Sequence, residues 1–189
     1  MRKIIVSEHV TLDGFVAGAN GEMDWIKLDD VMFELVNEFT NEADIALYGR
    51  ITYEMMEAYW PTAADQPNAT KHDVDHSSWY NRSQKVVLSG TINDVQRERT
   101  NFISENAVAA LERIKNSSGK NILVFGSPSV VHLLAQHDLV DEYWLFVNPV
   151  ILGEGIPMFP RLTNKKFLEL VTSKVFACGV TGLNYKVTR

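Results

Sequence analysis

The spacing of apolar positions alternates along the chain between the pattern of a strand and the pattern of a helix. Short apolar runs predict strands, and apolar residues three or four positions apart predict amphipathic helices. The predicted strands lie at residues 1–7, 44–48, 85–89, 101–103, 121–125 and 142–147. The predicted helices cover residues 29–43 and 52–59, the stretch 108–114 that Gly119 closes, and the residues that follow Gly126.

This alternation predicts an α/β fold with a mainly parallel sheet, right-handed crossovers and helices on both faces. The C-terminal end differs, because 167–177 and 183–188 read as two strands of an antiparallel hairpin around residues 178–182. No linker or repeat interrupts the chain. We therefore expect residues 1–189 to form a single domain.

Two strand-to-helix junctions carry the pattern of an anion site. At the first, the apolar run 44–48 meets Gly49, which Arg50 and a helical stretch follow. At the second, the run 122–125 meets Gly126, and Pro128 occupies the first turn of the predicted helix. A helix start favours a phosphate through its free N–H groups and its dipole, and glycine admits close approach. Two such junctions are suited to one dinucleotide.

Composition narrows the class of partner. Of the 189 residues 46% are hydrophobic and 22% are charged, which is typical of a folded globular protein. The net charge of −6 gives no general attraction to nucleic acid or anionic lipid, so a small-molecule partner is favoured. No apolar stretch has the length of a membrane span, and the N-terminal run is too short for a signal peptide, so we expect a cytoplasmic protein. The single Cys178 is expected to be a buried, inert thiol.

Two irregular stretches have open interpretations. Residues 11–21 read as a long loop rich in Gly and Asn. The polar excursion 60–84 contains His72 and His76 at the spacing of two metal ligands, but without a third ligand, so we expect a solvated loop and no metal. Trp79 and Tyr80 in the same excursion are either a lid or an anchor that pins the loop to the core.

Five motifs in order resemble one family. They are the stretch Ser7 to Gly14, the GRITY sequence at 49–53, Leu88-Ser89-Gly90, the junction at Gly126, and residues 139–142 with 149–155. Together they resemble the dihydrofolate reductase-like fold, and most closely the C-terminal reductase domain of the bifunctional riboflavin-biosynthesis proteins (RibD C-terminal domain). The resemblance extends from about residue 2 to residue 188.

The resemblance implies NADPH as cofactor, bound along the carboxyl edge of the sheet. The adenosine-side phosphates are then expected at Gly49, Arg50, Thr52 and Tyr53, with Leu88, Ser89 and Gly90 beside them. The pyrophosphate loop corresponds to Gly126, Ser127, Pro128, Ser129 and Val130, and Val16 and Ala17 occupy the place that faces the nicotinamide.

The resemblance also implies a reductase that transfers hydride to a C=N or C=O carbon of a small heterocyclic or sugar-derived substrate. A 5-amino-6-(5-phosphoribosylamino)uracil reductase-like activity is one form of it. The candidate catalytic residues are Asp30, which follows Trp25 by five positions, and Asp13. Phe125-Gly126-Ser127 stands where such reductases usually have two glycines, often preceded by a glutamate. The alternatives are a non-catalytic nucleotide-binding module or sensor, and a dihydrofolate reductase-like enzyme acting on a pterin.

Simpler structural roles compete with several of these assignments. Arg50 is either a phosphate clamp or half of a surface ion pair, and Asp13 is either a substrate contact or a turn residue. Asp29 and Asp30 both suit the first turn of a helix, whatever else one of them does. The apolar strand at 142–147 and the segment 149–159 predict a homodimer interface.

Overall fold

The computed structural model describes residues 1–92 and 96–188. It is a mixed α/β structure with mostly parallel strands, and within these residues it has five α-helices and a C-terminal antiparallel strand pair, so the predicted fold class is confirmed. The strands are β1 (Ile4–Thr11), β2 (Phe15–Ala17), β3 (Ala43–Gly49), β4 (Gln84–Leu88), β5 (Thr100–Ile103), β6 (Asn121–Phe125), β7 (Glu142–Asn148), β8 (Ile156–Pro157), β9 (Leu168–Val175) and β10 (Thr181–Val187). The α-helices are α1 (Asp30–Asn41), α2 (Arg50–Tyr59), α3 (Lys71–Arg82), α4 (Ala107–Asn116) and α5 (Pro128–Gln136).

Contacts divide the chain into two compact units. The first comprises Met1–Arg2 and Asp30–Leu123, and the second comprises Lys3–Asp29 and Val124–Arg189. In the first unit the strand order is β5-β4-β3-β6, with all neighbours parallel. Strand β3 is its centre, and Ala46, Leu47 and Tyr48 have no exposed surface. A parallel strand covered on both faces needs such a continuous apolar run, which is why this segment reads so clearly in the sequence.

The second unit has the strand order β1-β7-β10-β9. Strand β7 is parallel to β1 and antiparallel to β10, and β10 is antiparallel to β9, as expected for the C-terminal hairpin. The loop predicted at 11–21 contains the short strand β2, which pairs with β8. Gly155 lies beside this pair, and a Cβ there would be 2.3 Å from the carbonyl oxygen of Ala17, so the close approach requires glycine.

The excursion 60–84 is helical, which corrects the expectation of a solvated loop. Helix α2 runs directly into a 3₁₀ helix (Trp60–Asp65) in which Pro61 occupies an early position, and α3 follows. A capping box starts α3, because Thr70 accepts the N–H of Asp73 while the Asp73 carboxylate accepts the N–H of Thr70. Reciprocal capping makes this polar segment a stable helix start.

Trp79 and Tyr80 anchor α3 to the first unit. Both side chains are fully buried. The indole Nε1 of Trp79 donates to the carbonyl oxygen of Ala43 at 3.1 Å, and the Tyr80 hydroxyl donates to Glu57 at 2.7 Å. Buried Trp and Tyr need such partners for their polar ends. The anchor interpretation is therefore correct, and the lid interpretation is wrong.

Cys178 also differs from its expected setting. It lies in the turn between β9 and β10, is partly exposed, and its N–H donates to the Asp29 carboxylate at 3.5 Å. The turn was predicted at residues 178–182, whereas the partial exposure of Cys178 was not. Across residues 1–92 and 96–188, no helix combines the length and apolar character needed to cross a membrane.

Candidate cofactor and substrate site

The first junction places Gly49 at the N-cap of α2. Gly49 is buried and has extended backbone angles (φ −84°, ψ 166°), and no side chain caps the helix start. Helix N–H groups without a side-chain acceptor are available to an anion. Thr52 is partly exposed in this first turn, whereas Tyr53 is buried with its ring edge-on to Phe102. Tyr53 therefore supports the helix start by packing.

Arg50 begins α2 on the surface. Its guanidinium donates to Glu54 one helical turn further along at 2.9 Å, and both side chains are about half exposed. An exposed pair of this kind contributes little to stability because water screens it. Glu54 thus holds the cation at the helix start.

Ser89 shapes the turn after β4. Its buried hydroxyl oxygen accepts the N–H groups of Thr91 and Ile92 at 3.2 and 3.0 Å, and its own N–H donates to Ile103. The remaining groups of the predicted set at this turn are Leu88, which is partly exposed, and Gly90, which is exposed. The turn is fixed by Ser89, so the exposed backbone at Gly90 has a defined position.

The second junction has an unusual backbone. Gly126 (φ 66°) and Ser127 (φ 65°) are consecutive residues in the left-handed region, and Ser127 is the N-cap of α5 without a side-chain cap bond. Pro128 occupies the first turn, as predicted. A non-glycine residue in this region is strained by about 1–2 kcal/mol. Successive backbone N–H groups in such turns form concave anion sites.

The side chains around this junction are fixed by packing. Ser127 and Val130 are almost fully buried, and the carbonyl oxygen of Ser127 accepts the N–H groups of Val130 and Val131 at 2.9 and 3.0 Å. Ser129 is exposed on the first turn of α5. The junction is therefore a rigid turn that presents its backbone and Ser129 outward.

Glu8 is a residue of this junction that the sequence reasoning missed. Its carboxyl group is buried and accepts a hydrogen bond from the backbone of Gly126, and its Oε2 has no hydrogen-bond partner among the described residues. Burial raises the pKa of Glu8 to about 8, although the Gly126 bond opposes the shift. An acidic residue in the middle of a strand whose first three residues are apolar is the signal that would have found it.

Val16 and Ala17 lie on β2 with buried side chains. Pairing with β8 fixes their backbone, since Ala17 is opposite Ile156. They can thus contribute only backbone groups to a ligand, which is the role expected of them.

Asp13 organises a turn in the second unit. Its carboxylate accepts the Thr11 hydroxyl at 2.6 Å and the N–H groups of Gly153 and Leu152 at 2.8 and 3.3 Å. These bonds, with that from Thr11 foremost, lower the pKa of Asp13 below its usual value. Three donors hold the ionised Asp13 carboxylate in one position. This arrangement agrees with the interpretation of Asp13 as a turn residue.

Asp30 is the exposed first residue of α1. It lines a cavity of about 390 Å³ in the first unit, together with side chains of α1, Thr70 and the first turn of α3. Phe33 forms one wall, and its ring stacks on His72 with centroids 3.9 Å apart. The placement suits both interpretations of Asp30, as a helix-start acid and as a group open to a ligand.

The comparisons with known proteins decide the family. A family model described as the RibD C-terminal domain matches residues 2–181. The chain belongs to the RibD C-terminal domain family. The protein YyaP of Bacillus subtilis is 34% identical over 187 residues, which cover 97% of this chain and 94% of YyaP. The recognition from sequence is confirmed, and RibD C-terminal domains are reductases that typically use a nicotinamide cofactor.

Solved structures support the fold. A protein of Shewanella sp. PV-4, provisionally assigned to riboflavin biosynthesis, superposes with a TM-score of 0.75 at 22% identity and covers 99% of both chains. The diaminohydroxyphosphoribosylaminopyrimidine deaminase/5-amino-6-(5-phosphoribosylamino)uracil reductase of Thermotoga maritima superposes with a TM-score of 0.68 at 15% identity. That match covers 99% of this chain but 57% of the Thermotoga protein. At these identities the likeness is one of fold.

The histidines of α3 lie in an aromatic cluster of this RibD C-terminal domain. His76 is buried and its ring lies 4.0 Å from that of Trp60, which places it in an aromatic cluster instead of a solvated loop. Burial lowers the pKa of His76 to about 3. Within residues 1–92 and 96–188, no group of three or more potential His, Cys, Asp or Glu ligands is close enough to hold a metal ion. The His72 ring belongs to the same cluster, since it stacks on Phe33 and lies edge-on to Trp60.

Proposed function

We propose that the protein is an NADPH-dependent reductase that transfers hydride to a C=N or C=O carbon of a small heterocyclic or sugar-derived substrate. The observation that carries the proposal is the α5 junction, where two left-handed residues precede a helix start without a side-chain cap in a RibD C-terminal domain. Such a turn suits a pyrophosphate. When bound, the cofactor supplies the hydride and the protein supplies position and electrostatics.

The residues present fit a dinucleotide phosphate at each junction. In the first unit, the N–H groups at the start of α2 and the cation of Arg50 suit a phosphate and the 2′-phosphate of NADPH. In the second unit, the first turn of α5 and the backbone after Gly126 suit the pyrophosphate. The Gly126 N–H itself is committed to Glu8, so the anion contacts there fall to the following residues.

The two acidic candidates have different roles in this proposal. Asp13 holds the turn at 152–153 and stays ionised, so it positions backbone and does not donate a proton. Asp30 lies exposed at a helix start beside a cavity, where a carboxyl group or a water that it orders can exchange a proton with a substrate. We assign the proton-exchange role to Asp30.

Titration calorimetry with NADPH and NADH, followed by steady-state oxidation of NADPH with aminopyrimidines, pterins, flavins and small carbonyl compounds, tests the proposal. We expect NADPH to bind more tightly than NADH and at least one substrate class to accelerate its oxidation. Absence of binding by either cofactor would overturn the proposal. Tight binding with no turnover in any class would instead identify a nucleotide-binding module or sensor.

We further propose that the protein is a homodimer. Strand β7 pairs on both sides, so its backbone is not open to a partner chain. Strand β9 lies at the edge of its sheet with all eight residues exposed, among them Leu170 and Val171, and Ile151 and Phe159 are exposed in the neighbouring stretch of sequence predicted for the interface. An uncovered apolar edge strand favours pairing with a second copy.

A further inference from the structure

One face of the sheet in the second unit combines aromatic rings with polar side chains. The β1/β7 register places Ser7 opposite Trp144 and His9 opposite Phe146, and the β7/β10 register places Asn184 opposite Trp144. Side chains of residues paired in this way share a face. The rings of His9 and Phe146 stack with centroids 5.1 Å apart, and those of Trp144 and Phe146 are 6.3 Å apart. Three nearly parallel rings thus form a row on this face.

His9 has one fixed hydrogen bond in this row. Its Nδ1 lies 3.2 Å from the amide nitrogen of Asn148, the last residue of β7. Which atom donates depends on the orientation of the Asn148 amide and on the tautomer of the imidazole. Neighbouring backbone groups settle both.

The backbone fixes the Asn148 amide. Its Oδ1 accepts the N–H of Lys27 at 2.8 Å, and its Nδ2 donates to the carbonyl oxygen of Phe146 at 3.0 Å. In the reverse orientation the NH₂ group of Asn148 would face the N–H of Lys27, and its oxygen would face the carbonyl oxygen of Phe146. Two donors or two acceptors cannot pair, so this orientation is excluded. Asn148 is fully buried, so no water relieves such a clash. The second Nδ2 hydrogen therefore points at His9.

Because Asn148 donates to Nδ1, the imidazole of His9 carries its proton on Nε2. Burial lowers the pKa of His9 to about 4, so the ring is neutral at physiological pH. No hydrogen bond of the described residues engages Nε2, and Nε2 is not among the buried atoms that lack a partner. The protein thus presents one oriented N–H donor at the carboxyl half of β1.

We propose that His9 is a specificity-determining residue whose Nε2–H binds a neutral carbonyl oxygen of a planar heterocycle on the face that carries Trp144. The inference deepens the proposed function, on which it rests, by naming the substrate class. Phe146 is buried in this row, whereas Trp144 is partly exposed. An exposed aromatic ring beside one oriented polar group suits a flat heterocycle. A neutral imidazole donates without demanding a negative charge on the ligand.

The tautomer is tested first. Long-range ¹H–¹⁵N NMR of the imidazoles in the full chain, with the His9 signals identified through His9→Gln, reports which nitrogen carries the proton. We expect a pyrrole-like Nε2 and a pyridine-like Nδ1, unchanged from neutral pH down to about pH 5. The Nδ1–H tautomer would overturn the proposal.

Binding is tested with two flat probes, pteridine-2,4-dione and 2,4-diaminopteridine, which carry carbonyl oxygens and amino groups, respectively, at the same two ring positions. In calorimetric titrations we expect the dione to bind about tenfold more tightly, the scale of one neutral hydrogen bond. His9→Gln keeps a distal N–H and should keep the preference. His9→Asn keeps only the acceptor toward Asn148 and should lose it, while melting at a similar temperature.

These outcomes separate the inference from the proposed function. Equal binding of the two probes by the unaltered protein, or an undiminished preference in His9→Asn, would overturn the role of His9. Neither measurement involves NADPH or turnover. A protein that shows the preference but never oxidises NADPH would refute the reductase proposal and leave the His9 site in place.

Discussion

The buried carboxyl group of Glu8 accepts the backbone N–H of Gly126. This bond joins β1 to the turn that starts α5, and it occupies one of the N–H groups that the junction would otherwise offer to an anion. A carboxyl group in an apolar setting is tolerated when it is neutral or well paired. Because only one of its oxygens has a partner among the described residues, Glu8 is best accommodated in its protonated form.

The free energy of unfolding should therefore respond to pH through Glu8. The folded pKa of about 8 lies above the ordinary value of 4.5, so between these values the folded state holds a proton that the unfolded state has released. Stability is fully present below pH 4.5 and falls as the pH rises through 8, by at most about 1.4 kcal/mol per unit. Glu8→Gln cannot titrate, so relative to the unaltered protein it should gain stability from pH 5 to pH 8. Urea unfolding at the two pH values measures this, and parallel pH dependences would contradict it.

Arg50→Ala tests whether Arg50 binds the 2′-phosphate of NADPH. We expect a loss of roughly 1.5–3 kcal/mol in NADPH binding, the scale of a hydrogen bond to a charged group, and a much smaller loss for NADH. Arg113→Ala, an exposed cation in the last turn of α4, is the matched control and should change neither. Equal weakening of both cofactors by Arg50→Ala would show that the adenosine end is placed wrongly. Calorimetric titration decides between these results.

Gly126→Val should weaken NADPH and NADH alike. Gly126 has a φ of 66°, which a β-branched residue adopts only with strain, and its side chain would block a pyrophosphate from the backbone whatever the ribose carries. Both dissociation constants should rise by a similar factor in calorimetry. A selective loss of NADPH alone would place the 2′-phosphate, and not the pyrophosphate, at this junction. Thermal unfolding of the variant separates lost binding from a lost fold.

We predict that neither dihydrofolate nor 5-amino-6-(5-phosphoribosylamino)uracil is turned over at the rate of a dedicated enzyme. Phe125-Gly126-Ser127 departs from the two-glycine loop, and the 3₁₀ helix and α3 fill the stretch between Trp60 and Gln84. Steady-state kinetics with each compound should give kcat/KM below about 10⁴ M⁻¹s⁻¹, the lower end for typical enzymes. A higher value for either would show that these departures do not affect the substrate.

The homodimer predicts a mass of two chains in light scattering at micromolar concentration. Val171→Asp places a charge in the middle of the exposed strand β9 and should shift the mass toward one chain. Val74→Asp, on the exposed side of α3 in the other unit, is the control and should leave the mass unchanged. One-chain mass for the unaltered protein would refute the proposal.

The local sequence pattern was sufficient to predict an element wherever that element's own apolar spacing determines its structure. Strands β1, β3, β4, β6 and β7 and the amphipathic helices α1, α2, α4 and α5 follow from periodicity, because each buries one stripe or one run. Gly49 and Gly126 marked two helix starts in the sequence: Gly49 is the N-cap of α2, and Gly126 directly precedes Ser127, the N-cap of α5. The family was readable because five such local motifs occur in order and extend over most of the chain.

Only the tertiary structure decided the roles of polar side chains. Residues 60–84 look solvated in sequence, yet a capping box and two buried aromatic anchors make them helical, since Trp79 reaches the backbone of Ala43 far away in the chain. Glu8 and His9 are inconspicuous in sequence because their partners, Gly126 and Asn148, lie more than a hundred positions away. A hydrogen bond fixes the protonation state and orientation of a side chain only when its partner is in place. For Glu8 and His9, only the chain topology brings the partner close.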